Sequence, residues 1–362
     1  MPKTDQLPLF ELTRGEIVES VHFGSIAVSD SQGRLIAWFG DPNTITFLRS
    51  SAKPFQALPF VEAKGPEKYD LSAEEIALLC ASHSGTDRHI DRLHTLQEKT
   101  GVMESELCCG VRPPIDEKTA FKMRKQDEPF TPNRHCCSGK HTGMLTYAYM
   151  HNWSTKDYLD PQNPVQEKIL QTFSEMSGVE TDSINTGIDG CSAPNFAIPL
   201  INTALAYARL CDPQNFSESR AEACRTITSA MTKQAYMVGG PNRFDTLLME
   251  ATSGRIVSKE GAEGYQAIGI MADGLGSDSP ALGIALKISD GDLLNRARPA
   301  VTLEVLYQLN ALTGDEKAIL ESFGPSFSLK NSRDIEIGTA RPAFKLNSII
   351  SQYLLSSDEQ RK

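Results

Sequence analysis

The sequence predicts an α+β protein in which strands from the N- and C-terminal segments form one antiparallel sheet and a helical block is inserted between them. Three observations lead to this class: period-two apolar patterns near the N-terminus, helical patterns through the middle of the chain, and strand patterns that return from Gly254 onward. Pairing the terminal strands with each other buries their apolar faces economically. A chain of 362 residues is long enough for one large domain or for two.

The N-terminal segment predicts a hairpin and a third strand. The runs VHFGSIAV and RLIAWFG are separated by the turn-rich SDSQG, and TITFL leads into the segment LRSSAKPFQ. From about residue 50 to 235 helical signals dominate. Ser72 and Glu75 form a capping box, and the helix in TDRHIDRLHTLQEKTG ends at Gly101. Further helices are predicted in SGKHTGMLTYAYM, APNFAIPLINTALAYARL and ESRAEACRTITSAMTKQAYM.

Strands are predicted again in GRIVSKEG, GYQAIGIMA and ALGIALKIS, followed by a long helix near ARPAVTLEVLYQLNAL. We therefore expect residues 1–50 and 240–345 to form the sheet region and residues 51–239 the helical region, which carries most of the site motifs. The two regions are expected to form a single compact catalytic unit. Residues 346–362 are expected to be the end of a helix and a tail.

Composition and charge exclude some classes of function. A net charge of -10 argues against nucleic acid or an anionic membrane as a partner, because neither would be attracted to the surface as a whole. The first residues, MPKTDQLPLFELTRGE, contain no apolar signal segment, so a cytoplasmic location is expected. Eight cysteines in such a chain are expected to be reduced thiols, most of them buried.

The segment LRSSAKPFQ offers a candidate nucleophile. If a helix starts here, Ser50 and Lys53 lie three positions apart on one face and can touch. A serine hydroxyl becomes nucleophilic when a base takes its proton, and a neutral lysine can be that base. Two other interpretations stay open: a polar helix start without chemistry, and an anion site formed by Arg49 and Lys53 at a helix N-terminus.

Two further clusters contain nucleophiles or metal ligands. In HCCSGKHTGM, Cys137, Lys140 and His141 lie at a helix start, where a thiolate is stabilised, so the cluster suits a Cys–His nucleophile or a metal site. In GIDGCSAPN, Asp189 and Cys191 lie at a second helix entrance. That segment is also consistent with a tight turn in which the aspartate is a local cap.

Two more segments have both a structural and a functional interpretation. ASHSG places two serines around His83, and it also fits a helix end with Gly85 after the last turn. SKEGAEG places Lys259 at the end of a strand. That lysine is either solvated or a second amine directed into a cleft.

Taken together, the motifs resemble those of the bacterial L-asparaginase family typified by the inducible Rhizobium etli enzyme. The resemblance runs from about residue 15 to 310 and is carried, in the same order, by LRSSAKPFQALP, ASHSG, CCSGKHTGM, GIDGCSAPNFAIPL, GGPNRFDTLLMEATSGRIVSKEGAEG and ADG. That family is similar in fold to serine β-lactamases and serine-type glutaminases. The resemblance therefore implies this fold and the hydrolysis of L-asparagine to L-aspartate and ammonia.

The resemblance also implies roles for individual residues. Two Ser–Lys pairs, Ser50 with Lys53 and Ser82 with Lys259, would form a double dyad around the substrate amide. Spacing alone does not pair Ser82 with Lys259. The residues implied in substrate binding are Arg49, His83, His141, Asp189 and Gly261.

The family binds a zinc ion near its substrate, and the matching ligands here are Cys137, Lys140 and Cys191. The ion is expected to orient the substrate rather than to generate the nucleophile. Ser51 follows Ser50 and Cys136 precedes Cys137, so each functional atom has a neighbour of the same type. The motif register favours Ser50 and Cys137, and the family resemblance suggests a homodimer.

Other functions fit parts of the sequence. A glutaminase needs room for only one more methylene group in the substrate. A penicillin-recognising serine hydrolase shares the Ser-x-x-Lys spacing, but the chain has no SDN and no KTG on its late strands. A zinc- or anion-binding protein without catalysis would use the same clusters only to hold ligands.

Overall fold

Strands from both ends of the chain form one sheet in the computed structural model, which describes residues 7–349. The strands of this part of the chain are β1 (Leu7–Arg14), β2 (Ile17–Asp30), β3 (Leu35–Phe39), β4 (Ile45–Phe47), β5 (Asn185–Ile188), β6 (Pro194–Pro199), β7 (Ile256–Gly261), β8 (Tyr265–Ile270), β9 (Leu282–Ile288), β10 (Phe327–Lys330), β11 (Glu336–Pro342) and β12 (Asn347–Ser348). Seven of them follow one another in the order β10-β11-β1-β2-β9-β8-β7, and β3 pairs with β2 and β12.

Helices occupy most of the chain between the two groups of strands. They are α1 (Lys53–Glu62), α2 (Gly65–Lys68), α3 (Ala73–Leu79), α4 (Asp87–Thr100), α5 (Glu117–Lys125), α6 (Ser138–His151), α7 (Pro164–Ser177), α8 (Leu200–Cys211), α9 (Glu218–Lys233), α10 (Ala235–Val238), α11 (Phe244–Ala251), α12 (Arg298–Gln308) and α13 (Gly314–Leu320). Short 3-10 helices lie at Arg49–Ala52, Glu104–Glu106, Pro132–Arg134, Thr181–Ser183 and Glu321–Phe323. No helix between residues 7 and 349 combines the length and the apolar character needed to cross a bilayer.

The predicted α+β class is confirmed by the pairing at the centre of the sheet. The N-terminal β2 pairs with the C-terminal β9 in an antiparallel register that runs from Gly24 opposite Ile288 to Asp30 opposite Leu282. The inner residues of both strands are buried, as expected for strands covered on both faces. One cover is α8, which packs against β2, β8 and β9.

The chain divides into two units. The sheet unit contains residues 7–51, 198–212 and 258–349 of the described chain, and the helical unit contains residues 52–197 and 213–257. Compared with the predicted regions, α8 lies in the sheet unit because it packs on the strands, and residues 240–257 lie in the helical unit. The expectation of a single compact catalytic unit stays a prediction.

In the helical unit, α1 lies among α3, α6, α7 and α9. All its residues from Lys53 to Val61 are buried, so this helix forms the centre of the unit. The predicted capping box of Ser72 and Glu75 begins α3. The predicted end of α4 is also confirmed, because Gly101 adopts the left-handed conformation there with φ of 76°.

Two local predictions are wrong. The segment APNFAIPLINTALAYARL was expected to be one helix, but its beginning forms β6, which pairs with β5, and α8 starts only at Leu200. Pro199 explains the break, because the residue before a proline favours an extended backbone. Residues 346–362 were expected to end a helix, but 347–348 form β12, and 350–362 lie outside the described residues.

Candidate functional site

The segment LRSSAKPFQ places Ser50 one turn before an α-helix. Ser50 lies in the 3-10 helix Arg49–Ala52, and α1 begins at Lys53 rather than at Ser50, with Pro54 in its first turn. Proline suits that position because the first N–H groups of a helix have no partner within the helix. Ser50 is half-buried. Its predicted contact with Lys53 stays a prediction.

In the helical unit, the amine of Lys53 contacts a serine. Lys53 Nζ lies 2.9 Å from Ser82 Oγ and 2.5 Å from the carbonyl oxygen of Ala81, and both side chains are almost fully buried. Ser82 is held by its backbone N–H, which donates to the carbonyl of Val238. Helix α3 ends at Leu79, so ASHSG is a segment without regular secondary structure after the helix and not a helix end at Gly85.

In the sheet unit, Lys259 lies in β7 and is fully buried. The hydroxyl of Ser51 donates to the backbone carbonyl of Lys259 over 2.8 Å, and Lys259 Nζ donates to the carbonyl of Glu260 over 3.0 Å. Gly261 is required by a close approach, since a Cβ there would lie 2.3 Å from the carbonyl oxygen of Leu48 and 3.2 Å from Ser51 Oγ. Ser51 is therefore engaged as a structural hydroxyl.

His83 is held as a neutral imidazole. Its Nδ1 accepts the backbone N–H of Gly85 over 3.1 Å, so its proton is on Nε2, which lies 2.8 Å from Ser138 Oγ. Burial, with smaller contributions from His89 and Lys53, holds the pKa of His83 well below its usual value. In this state its ring can present one fixed donor and one fixed acceptor.

A group of thiols lies at the start of α6. Lys140 Nζ is 3.1 Å from Cys191 Sγ, and Cys136 Sγ is 3.8 Å from Cys137 Sγ, all buried. The three predicted metal ligands are thus brought near one another, since Cys191 also interacts with Cys137 closely enough to lower its pKa. Gly139 allows this packing, because a Cβ there would lie 2.3 Å from the backbone oxygen of Leu78 in α3.

The electrostatics of this group of thiols, Cys136, Cys137 and Cys191, favour a cation. The hydrogen bond with Cys137 lowers the pKa of Cys136 to about 5. For Cys137 the hydrogen bond with Cys136 acts to raise the pKa, but the interaction with Cys191 contributes to a net lowering. Burial acts to lower the pKa of Lys140, yet electrostatic interactions with Cys191 and Cys137 raise it above its usual value. Lys140 is therefore the positively charged group beside these cysteines.

His141 has one ring nitrogen without a partner. Its Nδ1 lies 2.6 Å from the hydroxyl of Tyr158, which accepts the backbone N–H of Cys108. The other nitrogen, Nε2, is buried and makes no hydrogen bond of acceptable geometry within residues 7–349. Burial lowers the pKa of His141 to about 4, opposed by an interaction with Cys191.

These donors fit a thiophilic metal ion. Thiols and an unpartnered imidazole nitrogen are donor types that zinc takes in proteins, and a lysine amine can join them only after it has lost its proton. A different set of possible ligands is His135, Cys136 and Cys137, whose three ligand atoms lie within 4.8 Å of one another. Its His135 Nδ1 already accepts the N–H of Cys137, which makes this set the less favourable one.

Two of the remaining predicted residues have features of their own. Asp189 contributes to the raised pKa of Lys140, which places its charge near the thiols. Arg49 has a left-handed backbone with φ of 52° at the start of the 3-10 helix. The roles of Arg49, His83, His141, Asp189 and Gly261 in substrate binding stay predictions.

Sequence reasoning missed several residues that hold this machinery. Tyr158 orients His141, and Ser138 contacts His83. Cys109 is also buried, and this burial raises the pKa of its thiol to about 12. Ser138 stands inside the motif HCCSGKH and could have been suspected from it. Tyr158 lies in no motif, because a long-range contact leaves no local pattern.

Most of the chain matches one known protein family. The family model of L-asparaginase II matches residues 10–342, which is nearly the whole chain. The chain belongs to the L-asparaginase II family. The protein is therefore an amidohydrolase, and the family resemblance of its motifs is confirmed.

Solved structures similar to this family member are remote. A probable glutaminase from Bacillus subtilis complexed with 6-diazo-5-oxo-L-norleucine is 14% identical, with a TM-score of 0.33 over 83% of this chain and 82% of that chain. A Bacillus glutaminase in the presence of 4.3 M NaCl is 12% identical, with a TM-score of 0.36 over 80% of this chain and 91% of that chain. No protein of curated function has a significantly similar sequence.

Proposed function

We propose that the protein hydrolyses the side-chain amide of L-asparagine to L-aspartate and ammonia by Ser–Lys nucleophilic catalysis. The observation that carries the proposal is the buried contact of 2.9 Å between Lys53 Nζ and Ser82 Oγ in a member of an amidohydrolase family. A buried amine in contact with a serine hydroxyl can exchange a proton with it, which is the step that a serine nucleophile needs.

In the proposed reaction Ser50 Oγ attacks the amide carbon while Lys53 accepts its proton. Backbone N–H groups stabilise the oxyanion, and collapse of the tetrahedral intermediate breaks the C–N bond and releases ammonia, which takes up a proton. Water then attacks the aspartyl ester, so that L-aspartate leaves and the serine hydroxyl is restored. Ser82 and Lys259 relay protons in both steps.

The contacts of Lys53 also favour a second assignment within the same function. Its amine already contacts Ser82, whereas the hydroxyl of Ser50 has no hydrogen bond among residues 7–349. In this alternative Ser82 is the nucleophile and Ser50 assists it. Single alanine variants of the two serines separate the assignments, because the nucleophile cannot be replaced while an assisting hydroxyl leaves residual turnover.

We propose that zinc, when present, is held by Cys137, Lys140 and Cys191. Bound there, the ion supplies a positive charge that orients a polar group of the substrate. The thiols of Cys137 and Cys191 are the donors, and Lys140 must release its proton to join them. The unpartnered Nε2 of His141 is available to a substrate carboxylate or to a bound water.

Location and assembly complete the proposal. The resemblance to the family and the acidic composition support a cytoplasmic homodimer that binds neither nucleic acid nor membranes. Light scattering coupled to size exclusion measures the assembly directly. A mass of about twice that of the chain supports the dimer, and a mass of one chain contradicts it.

A coupled ammonia assay on asparagine and on glutamine, with and without a chelator, tests the function. We expect release from asparagine by the wild type, loss of most turnover in Ser50→Ala and Lys53→Ala, and a higher KM after chelation. Equal release from glutamine would shift the assignment to a glutaminase. Absence of release from both amides by folded, zinc-loaded protein would contradict the proposal.

A further inference from the structure

The strand that carries Lys259 has a neighbour on only one side. Strand β7 is the last in the order β10-β11-β1-β2-β9-β8-β7 of the described chain. A strand in this position is fixed by a single ladder of backbone hydrogen bonds. The position of the Lys259 amine therefore depends on what else holds the strand.

Both residues beside Lys259 are linked to Arg298, Glu260 directly and Ser258 through Gln266. Side chains alternate along a strand, so Ser258 and Glu260 face the side opposite to Lys259. Glu260 Oε2 accepts a hydrogen bond of 2.9 Å from Arg298 Nη2. Ser258 Oγ accepts one of 3.0 Å from the amide of Gln266, whose oxygen in turn accepts from Arg298 Nη1.

Arg298 is itself rigidly placed. It is only 5% exposed and is the first residue of α12. Its Nε and Nη2 both donate to Asn295 Oδ1, at 3.1 and 2.7 Å, and its backbone N–H donates to Asp292 over 2.7 Å. A guanidinium held by several directed hydrogen bonds couples the position of the helix to that of the strand.

We propose that Arg298 is a positioning residue that fixes Lys259 by holding both of its neighbours in β7. The inference rests on the proposed function, in which Lys259 belongs to the catalytic machinery. The backbone of Lys259 is also fixed by Ser51, whose hydroxyl donates to the carbonyl of Lys259. Held by Arg298 and by Ser51, the strand leaves the Lys259 amine little freedom to move.

The test compares Arg298→Lys and Arg298→Met with the matched control Arg220→Met. Arg220 is also buried, 8% exposed, and pairs with Glu62 and Glu175 in the helical unit, remote in sequence and contacts from β7. Both methionine variants remove a buried ion pair and are expected to lower the melting temperature. Only Arg298→Met is expected to lower kcat per folded enzyme, by about 10- to 100-fold with an unchanged KM for asparagine, because a small displacement of a reacting group is costly.

Arg298→Lys keeps the charge and an N–H donor group but loses the planar fork of the guanidinium, so it should recover part of kcat. Equal effects of Arg298→Met and Arg220→Met on kcat would overturn the inference, since a purely structural role predicts that result. A crystal structure of Arg298→Met adds a readout that needs no activity: a displaced Lys259 without its bond to Ser51 supports the inference, and an undisplaced one overturns it. A wild type that releases no ammonia contradicts the proposed function instead.

Discussion

Adjacent serines before α1 differ in what their hydroxyls contact. Ser51 is fully buried and donates to the carbonyl of Lys259, whereas Ser50 is half-buried with a hydroxyl that has no hydrogen bond within residues 7–349. A hydroxyl that is already committed to a backbone carbonyl is a poor candidate for attack on a substrate. The motif register selected Ser50, but the reason to set Ser51 aside lies in the tertiary contact and could not be read from the sequence.

Ser51→Ala should therefore destabilise the protein without abolishing hydrolysis. We expect a loss of about 1 kcal/mol in the free energy of unfolding, because one buried hydrogen bond is removed and the Lys259 carbonyl loses a donor. Urea titration measures the stability and the ammonia assay the activity. Loss of turnover as complete as in Ser50→Ala would show that Ser51 is the reacting serine.

At the scale of elements, the crossing of α3 and α6 brings Ser82 and Lys140 into the same unit. The start of α6 approaches the backbone of Leu78 closely, and only Gly139 permits that approach. The sequence predicted both helices and the capping box of α3. It could not predict their contact, because a glycine inside the motif CCSGKH has several ordinary explanations.

Gly139→Ala is expected to cost roughly 1 to 3 kcal/mol of stability through overpacking, and to lower the affinity for zinc with it. The matched control is Gly314→Ala at the first position of α13, where a Cβ would have no heavy atom within 4 Å and φ is not positive. Thermal melts compare the two. If Gly139→Ala were as stable as Gly314→Ala, the close approach would not constrain the packing.

For the whole molecule, the α+β class and the central pairing of N- and C-terminal strands were predictable from period-two patterns. The strands β10 and β11 were not, because short, partly exposed strands with mixed residues give a weak pattern. The assignment of α8 to the sheet unit was also missed. That assignment depends on packing against β2, β8 and β9, which no local signal in LINTALAYARL reveals.

Stability should fall as the pH drops from about 7 to 4. His89 is fully buried, with Nε2 hydrogen-bonded to the carbonyl of Tyr236, and burial lowers its pKa from 6.5 to about 4. Between pH 6.5 and pH 4 the unfolded chain binds a proton at this histidine and the folded chain does not. The contribution of neutral His89 to the free energy of unfolding is therefore complete above pH 6.5 and is lost toward pH 4. The expected loss from this residue is about 3 kcal/mol.

Urea titrations of the wild type and of His89→Gln between pH 7 and pH 4 measure this dependence. The variant should be less stable at pH 7 and show a flatter slope. An identical slope in both proteins would exclude His89 as a source of the acid sensitivity.

Zinc is expected to raise the melting temperature, because a ligand that binds only the folded state stabilises it by about 2.7 kcal/mol at a hundred times its dissociation constant. Scanning calorimetry of chelated protein with and without added zinc measures the shift. Cys191→Ser should remove it, whereas Cys224→Ser, a buried cysteine outside the thiol group, should retain it. An equal shift in the two variants would contradict the proposed ligands.

Trapping the acyl-enzyme tests directly whether Ser50 is the nucleophile. Protein mixed with L-asparagine is quenched in acid during turnover, digested, and its peptides are mapped by mass spectrometry. We expect one aspartyl ester, on Ser50. An aspartyl group on Ser82, on Ser51 or on a cysteine of the thiol group would contradict this expectation.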